Sequence, residues 1–239
     1  MSAPDDDPVV HVVGVVKHYQ ALRPLRIRDL RVRRGQAVAL HGFDKTAAEV
    51  LVNMLIGSSL PDEGQVRVFG RATSDITSSD EWLTWLRRFA LLSDRTVLVG
   101  ELSVEQNLAI PHTLDLDPFA EDLRAQVRAV GVEVGLSPET LAGSVGGLDA
   151  LQLARVRLAR ALALGPDLLL AEHPTATLDA VAARAFAGTL TGVVSARGIA
   201  AVYLTADQEF AKTVGTDVLT LKPATGEFTS SSGWRRWLS

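Results

Sequence analysis

The run Leu168-Leu169-Leu170-Ala171 is apolar at every position and is bounded by Pro166-Asp167 before it and Glu172 after it. A strand with one wet face alternates apolar and polar residues, so a continuous run of strand length needs cover on both faces. A central strand of a helix-flanked parallel sheet meets that need. The neighbouring sequence supplies the cover. Helical patterns are predicted at Asp149–Leu164 and Asp179–Ser195, and a second apolar strand at Ala200–Leu204. Upstream the alternation continues, with a helix near Lys45–Ile56, a strand at Gln65–Val68, a helix at Asp80–Arg88 and a strand at Phe89–Leu92. Such alternation implies an α/β core built on a parallel sheet. At the start of the chain the apolar runs Val9–Val16, Leu25–Val32 and Ala37–His41 are separated only by turns, which implies an antiparallel N-terminal part. Ser103–Leu141 reads as helices interrupted by Pro111, Pro118 and Pro138, a helical insert.

Composition narrows the function classes. The 239 residues are 47% apolar and carry a net charge of -4, long enough for one large α/β domain or two small ones, and the mild acidity argues against a protein that coats nucleic acid. The lack of cysteine excludes disulfides, thiolate metal sites and thiol catalysis. Lysine occurs only at Lys17, Lys45, Lys212 and Lys222, so a lysine-based phosphate site has few candidates. Asp5-Asp6-Asp7 is the opposite of a basic secretory leader, and the apolar stretches are too short to span a bilayer, so the expected location is cytoplasmic.

The segment Ala37–Gly42 is a predicted strand ending in glycine, followed by a short loop and an amphipathic helix ending at Gly57. That is the setting of a phosphate loop, in which backbone N–H groups and a helix N-terminus hold an anion. The pattern G-x-x-x-x-G-K-[ST], which would supply the tight wrap, the phosphate charge and the metal hydroxyl, does not occur in the chain.

The downstream half points to a family. Leu158-Ala159-Arg160-Ala161-Leu162, followed by Pro166-Asp167-Leu168-Leu169-Leu170-Ala171-Glu172-His173-Pro174-Thr175-Ala176-Thr177-Leu178-Asp179, resembles the segment from signature helix to D-loop in the ATP-binding subunits of ABC transporters. The resemblance runs from Val9 to Leu221. It includes Tyr19, similar to an adenine-stacking aromatic, the turn Pro61-Asp62-Glu63-Gly64-Gln65-Val66, and Leu102-Ser103-Val104-Glu105-Gln106-Asn107-Leu108. It implies an ABC-type P-loop NTPase fold: a nucleotide-binding domain over residues 9–222, with a helical subdomain at about 103–165, and a C-terminal tail over 223–239. It also implies ATP and Mg²⁺ as cofactors, head-to-tail pairing with a second ATP-binding subunit, and a membrane permease as partner at the cytoplasmic face of the membrane.

Carried over residue by residue, the family's motifs are altered at nearly every catalytic position. Aligned without gaps, the phosphate loop covers Gly42, Phe43, Asp44, Lys45, Thr46, Ala47, Ala48 and Glu49. Ala48 then stands at the phosphate lysine and Glu49 at the metal hydroxyl, while Lys45-Thr46 falls three residues early. A register using Lys45 leaves only Phe43 and Asp44 for the loop. The signature aligns on Leu148-Asp149-Ala150-Leu151-Gln152, without its glycines, and Asp149 with Gln152 forms a plausible capping box; Gly146-Gly147 just upstream is the alternative alignment. Asp94 falls at the Q-loop glutamine, Glu172 at the metal-ordering aspartate, His173 at the general base and Ala206 at the switch histidine; Thr175–Asp179 keeps the D-loop form. Added carboxylates oppose a triphosphate, since like charges about 4 Å apart repel by about 4 kcal/mol at an effective dielectric of ~20.

The expected function is therefore an ABC-type subunit without its own ATPase chemistry, docked on a permease and paired with a competent subunit. Two alternatives remain open: a working ATPase using Lys45 in a rearranged loop, and a stand-alone regulatory protein of this fold. Several residues also keep two readings at this stage. Tyr19 is an adenine platform or a strand-end aromatic, and His173 a catalytic group or a core histidine. Trp82 and Trp85 mark a helix packed on the sheet, with one aromatic left for a partner. Val97, Leu98 and Val99 receive a coupling helix or pack inward, and Trp234-Arg235-Arg236-Trp237-Leu238 lies on the protein surface or on a membrane face.

Overall fold

A computed structural model describes residues 7–230. The N-terminal part contains strands β1 (Val10–Lys17), β2 (Leu25–Val32) and β3 (Ala37–His41), helix α1 (Lys45–Leu55), and strands β4 (Glu63–Val68) and β5 (Arg71–Ala72). Helix α2 (Ser79–Leu86) and strand β6 (Phe89–Leu92) follow. The next segment is helical, with α3 (Val104–Ala109), α4 (Glu121–Glu133), α5 (Pro138–Ala142) and α6 (Ala150–Leu162). The chain then returns to alternation through β7 (Leu168–Glu172), α7 (Ala180–Arg197), β8 (Ala200–Thr205), α8 (Gln208–Val214), β9 (Asp217–Lys222) and β10 (Glu227–Ser230).

The strands form two sheets. One is antiparallel in the order β2-β1-β4-β5, as the turn-separated runs at the start of the chain imply. The other runs β10-β9-β3-β8-β7-β6 and is parallel apart from β10. In β7, Leu168 and Leu170 belong to the core shared with α1 and the antiparallel sheet, while Leu169 and Ala171 belong to the core shared with α6 and α7. Val38, Leu40, Val202 and Leu204 join the first core; Ala39, Ala201 and Tyr203 join the second. The period of two sorts each strand between two apolar layers, which is why the sequence runs apolar without a break.

Two features differ from the sequence reading. Residues 223–239 read as a tail, yet Glu227–Ser230 pairs antiparallel with Leu219–Lys222 to close a hairpin. The turn between them uses Gly226 at φ +73, where a Cβ would lie 2.9 Å from the backbone carbon of Arg26. The segment Trp234–Leu238 lies outside the described residues. Neither tryptophan of α2 is left for a partner: Trp85 is buried against Phe69 and Phe89, and the half-buried Trp82 donates its Nε1–H to the Ile56 carbonyl at 2.9 Å. The exposed apolar residue of that helix is Leu83.

The β1–β4 ladder breaks register between Val13 and Val16. There Gly64 sits at φ +80 with Gly14 O only 2.3 Å from where its Cβ would be. Gly165 also has a positive φ of +66 but faces open space. Gly64→Ala is expected to cost about 3 kcal/mol by clash plus strain, and Gly165→Ala about 1 kcal/mol by strain alone. Urea denaturation of the two variants checks the difference.

Candidate functional site

The site begins at the turn from β3 into α1. Only Gly42, Phe43 and Asp44 lie between the two elements, and Phe43 is buried. Asp44 is the N-cap, and its Oδ1 accepts the Ala47 N–H at 2.7 Å. The positive end of α1 is thus satisfied by the chain's own carboxylate. Ala47 and Ala48 are buried in the core, so the residue aligned with the phosphate lysine contributes packing. Lys45, one residue into the helix, turns to Asp94, with Nζ to Oδ2 at 2.5 Å. Thr46 is exposed.

The segment after β6 supplies the second cation. Arg95 Nη1 donates to Glu49 Oε1 at 2.7 Å, Nη2 donates to Glu172 Oε1, and Nε donates to Ser93 Oγ at 3.3 Å. Glu172 ends β7, and its side chain is 11% exposed. Burial pushes its carboxyl above the usual range; the Arg95 guanidinium opposes this, while the charges of Glu49 and Asp94 add to it. Asp94 moves the other way, held below the usual range first by its hydrogen bond to Lys45, with weaker help from the charges of Lys45, Arg157 and Arg95. Sequence reasoning missed Arg95, although its place directly after Asp94 was the available signal.

The remaining candidates take structural positions around this network. His173 follows β7 in a left-handed conformation, φ +44, with its Nε2 enclosed and unpartnered. It shares with Asp94, Arg157 and Glu172 a cavity of about 20 Å³, room for one water and too small for a phosphate. Asp179 caps α7 by accepting the Val181 and Ala182 N–H groups at 2.9 and 2.8 Å. Asp149 and Gln152 form a reciprocal capping box on α6, at 2.8 and 3.0 Å. Ala206 is exposed, and its carbonyl lies 3.2 Å from His41 Nε2, a contact no motif in the sequence announced. Tyr19 is half-buried against the first core; burial and the charge of Asp44 push its phenol up, so it stands beside the same turn. Among the described residues no group of three or more His, Asp or Glu is placed to hold a metal ion.

The model of the family described as ABC transporter matches residues 25–176. The chain belongs to the ABC transporter family. It is 31% identical over 217 residues to a macrolide export ATP-binding/permease protein of Aeromonas hydrophila, covering 86% of this chain and 32% of that protein. It is 32% identical over 214 residues to a phosphonates import ATP-binding protein of Anaeromyxobacter dehalogenans, covering 83% and 42%. The chain thus spans less than half the length of these two relatives. It is also 27% identical to the ATP-binding protein of a lipoprotein-releasing system in Psychrobacter arcticus, covering 77% and 80%. Among solved structures, a bacterial ABC transporter cassette determined as a dimer superposes with a TM-score of 0.77 at 22% identity, covering 94% of this chain and 100% of that one. At that identity the likeness shows the fold: an ABC-type P-loop cassette.

The Lys45–Asp94 contact yields a titration test. A lowered carboxyl pKa gives stability that is present above the unfolded value and lost as pH falls through the folded one. Lys45→Ala is expected to raise the Asp94 titration, because it removes the largest cause of the lowering, read from the side-chain carboxyl ¹³C shift against pH. An unmoved titration would mean that the ion pair does not hold in solution.

Proposed function

We propose that this member of the family keeps the cassette scaffold and has lost ATP hydrolysis, serving as a pseudo-ATPase subunit that docks on a membrane permease at the cytoplasmic face and pairs with a competent ATP-binding subunit. The observation that carries this reading is the Asp44 carboxylate at the amino end of α1, bonded to the N–H that a phosphate would use. The cations beside it are committed as well, Lys45 to Asp94 and Arg95 to Glu49 and Glu172. A triphosphate with its Mg²⁺ would have to displace these three ion pairs and sit against Asp44. These residues do not fit that ligand, and no step is assigned to it here. Family resemblance alone would make ATP and Mg²⁺ the cofactors.

The docking half of the proposal rests on the segment after β6. Val97 is 77% exposed and Val99 38%, while Leu98 between them packs on the core. An exposed apolar pair of this kind suits an apolar helix of a membrane partner. Among the described residues no helix is long and apolar enough to cross a membrane, so any membrane contact of this part of the chain would be made through a partner or at the surface.

The purified chain is expected to hydrolyse ATP no faster than a blank. Turnover that disappears with Lys45→Ala would overturn the reading and establish the rearranged-loop enzyme. In cells, Val97→Asp with Val99→Asp is expected to abolish co-purification with the permease while shifting the melting temperature by less than about 2 °C, since exposed substitutions cost within about 0.5 kcal/mol. Retained co-purification would remove the docking assignment. Absence of any permease from the wild-type preparation would favour the stand-alone regulator.

A further inference from the structure

We propose that Arg95 is a built-in counter-ion that clasps the segment 93–99 to the core, fixing the position of its exposed valines in the absence of any ligand. The inference goes beyond the functional reading above and does not depend on it.

Three donor directions of the Arg95 side chain are engaged: Nε with Ser93 Oγ, Nη1 with Glu49 Oε1 at 2.7 Å, and Nη2 with Glu172 Oε1. Glu49 lies on α1 and Glu172 ends β7, so one guanidinium joins three separate pieces of chain. A second tie on the same side runs from Lys45 to Asp94. The far end of the segment is fastened to the helical part. Arg160 Nη1, on α6, donates to the Val97 carbonyl at 2.6 Å. Asn107, fully buried on α3, accepts the Val99 N–H at 2.8 Å and donates to the Val99 carbonyl at 3.0 Å.

The two ends are not alike. Asn107 and Arg160 bond to main-chain atoms whatever the side chains of the segment, whereas the near end depends on charge. Exposed ion pairs hold weakly, but Glu172 is nearly enclosed, and an enclosed carboxylate without its cation is costly. Arg95 therefore does for Glu49 and Glu172 what a bound monovalent cation would do: it bridges two carboxylates with one positive charge, and it does so from the segment that presents Val97. Another cation that took the same Glu49 and Glu172 oxygens would have to displace Arg95 and release the segment.

Hydrogen–deuterium exchange of the full chain at neutral pH tests this. Arg95→Gln is expected to raise exchange across 93–97 by about tenfold relative to wild type, with little change in the peptides of α7 and β8, because local opening is governed by local ties. Adding millimolar methylguanidinium to Arg95→Gly should restore part of the protection, a rescue that a packing role for Arg95 would not give. Glu49→Gln, which removes one half-exposed partner, should give a smaller rise and serves as the deciding variant if the arginine variants fail to fold. Unchanged exchange in folded Arg95→Gln, or in Glu49→Gln where it alone folds, would overturn the clasp. Hydrolysis of Mg·ATP by the wild-type chain would contradict the pseudo-ATPase reading and leave the clasp standing.

Discussion

A single carboxylate at the amino end of α1 determines what the carboxyl edge of the parallel sheet can hold. The first N–H groups of a helix have no partner within it and carry a partial positive charge, which makes such an end a natural anion site when a loop brings a ligand to it. Here the loop is only Gly42-Phe43-Asp44, and the anion is Asp44 itself, 2.7 Å from the Ala47 N–H. The helix begins at once, Ala47 and Ala48 turn into the core, and the next polar side chain on that turn is Glu49. With the Asp44 carboxylate capping the helix and Glu49 following on its first turns, the local field favours cations. The chain supplies them from its own sequence as Lys45 and Arg95.

The resulting arrangement is a cluster of opposed charges. Lys45 and Arg95 face Asp94, Glu49 and Glu172, with Arg157 contributing its charge to Asp94. Part of this cluster is open to water and subject to screening by salt, while Glu172 is enclosed enough that its pairing matters for the local fold. The opposite directions of the Asp94 and Glu172 shifts have one explanation. Asp94 is exposed and close to a cation, so attraction dominates; Glu172 is enclosed and near two other acids, so desolvation dominates. The same cluster ties Asp94 and Arg95 to α1 and to the end of β7, while Val97 stays exposed.

Much of this architecture was legible in the sequence. Leu168–Ala171 announced a doubly covered strand because both its faces are buried, and Asp149 with Gln152 announced a helix start because a capping box is local chemistry. The prolines at 111, 118 and 138 correctly broke the helical insert, Pro138 standing in the first turn of α5. The short elements α8, β9 and β10 escaped notice, since none carries more than three apolar residues and β9 is held by parallel pairing with the distant β3. The altered loop residues were visible individually, but the pairing of Arg95 with Glu49 and Glu172 joins positions 46 and 77 residues apart. Only the folded sheet brings them together. Trp82 and Trp85 show the same limit: their spacing left one aromatic for a partner, and the contacts of Trp82 with Ile56 and of Trp85 with Phe69 and Phe89 decided that neither is left over.

The central claim is that the amino end of α1 is already occupied by Asp44 and closed to phosphate. The backbone amide resonances of Gly42–Glu49, followed in the ¹⁵N–¹H spectrum while Mg·ATP is added to millimolar concentration, report on those N–H groups directly. The account predicts that the Ala47 amide keeps its hydrogen-bonded shift and that the Tyr19 ring signals stay in place throughout. A saturable movement of the Ala47, Ala48 and Glu49 amides together with the Tyr19 ring would contradict it, because it would show a phosphate displacing the Asp44 carboxylate while the adenine stacks beside it.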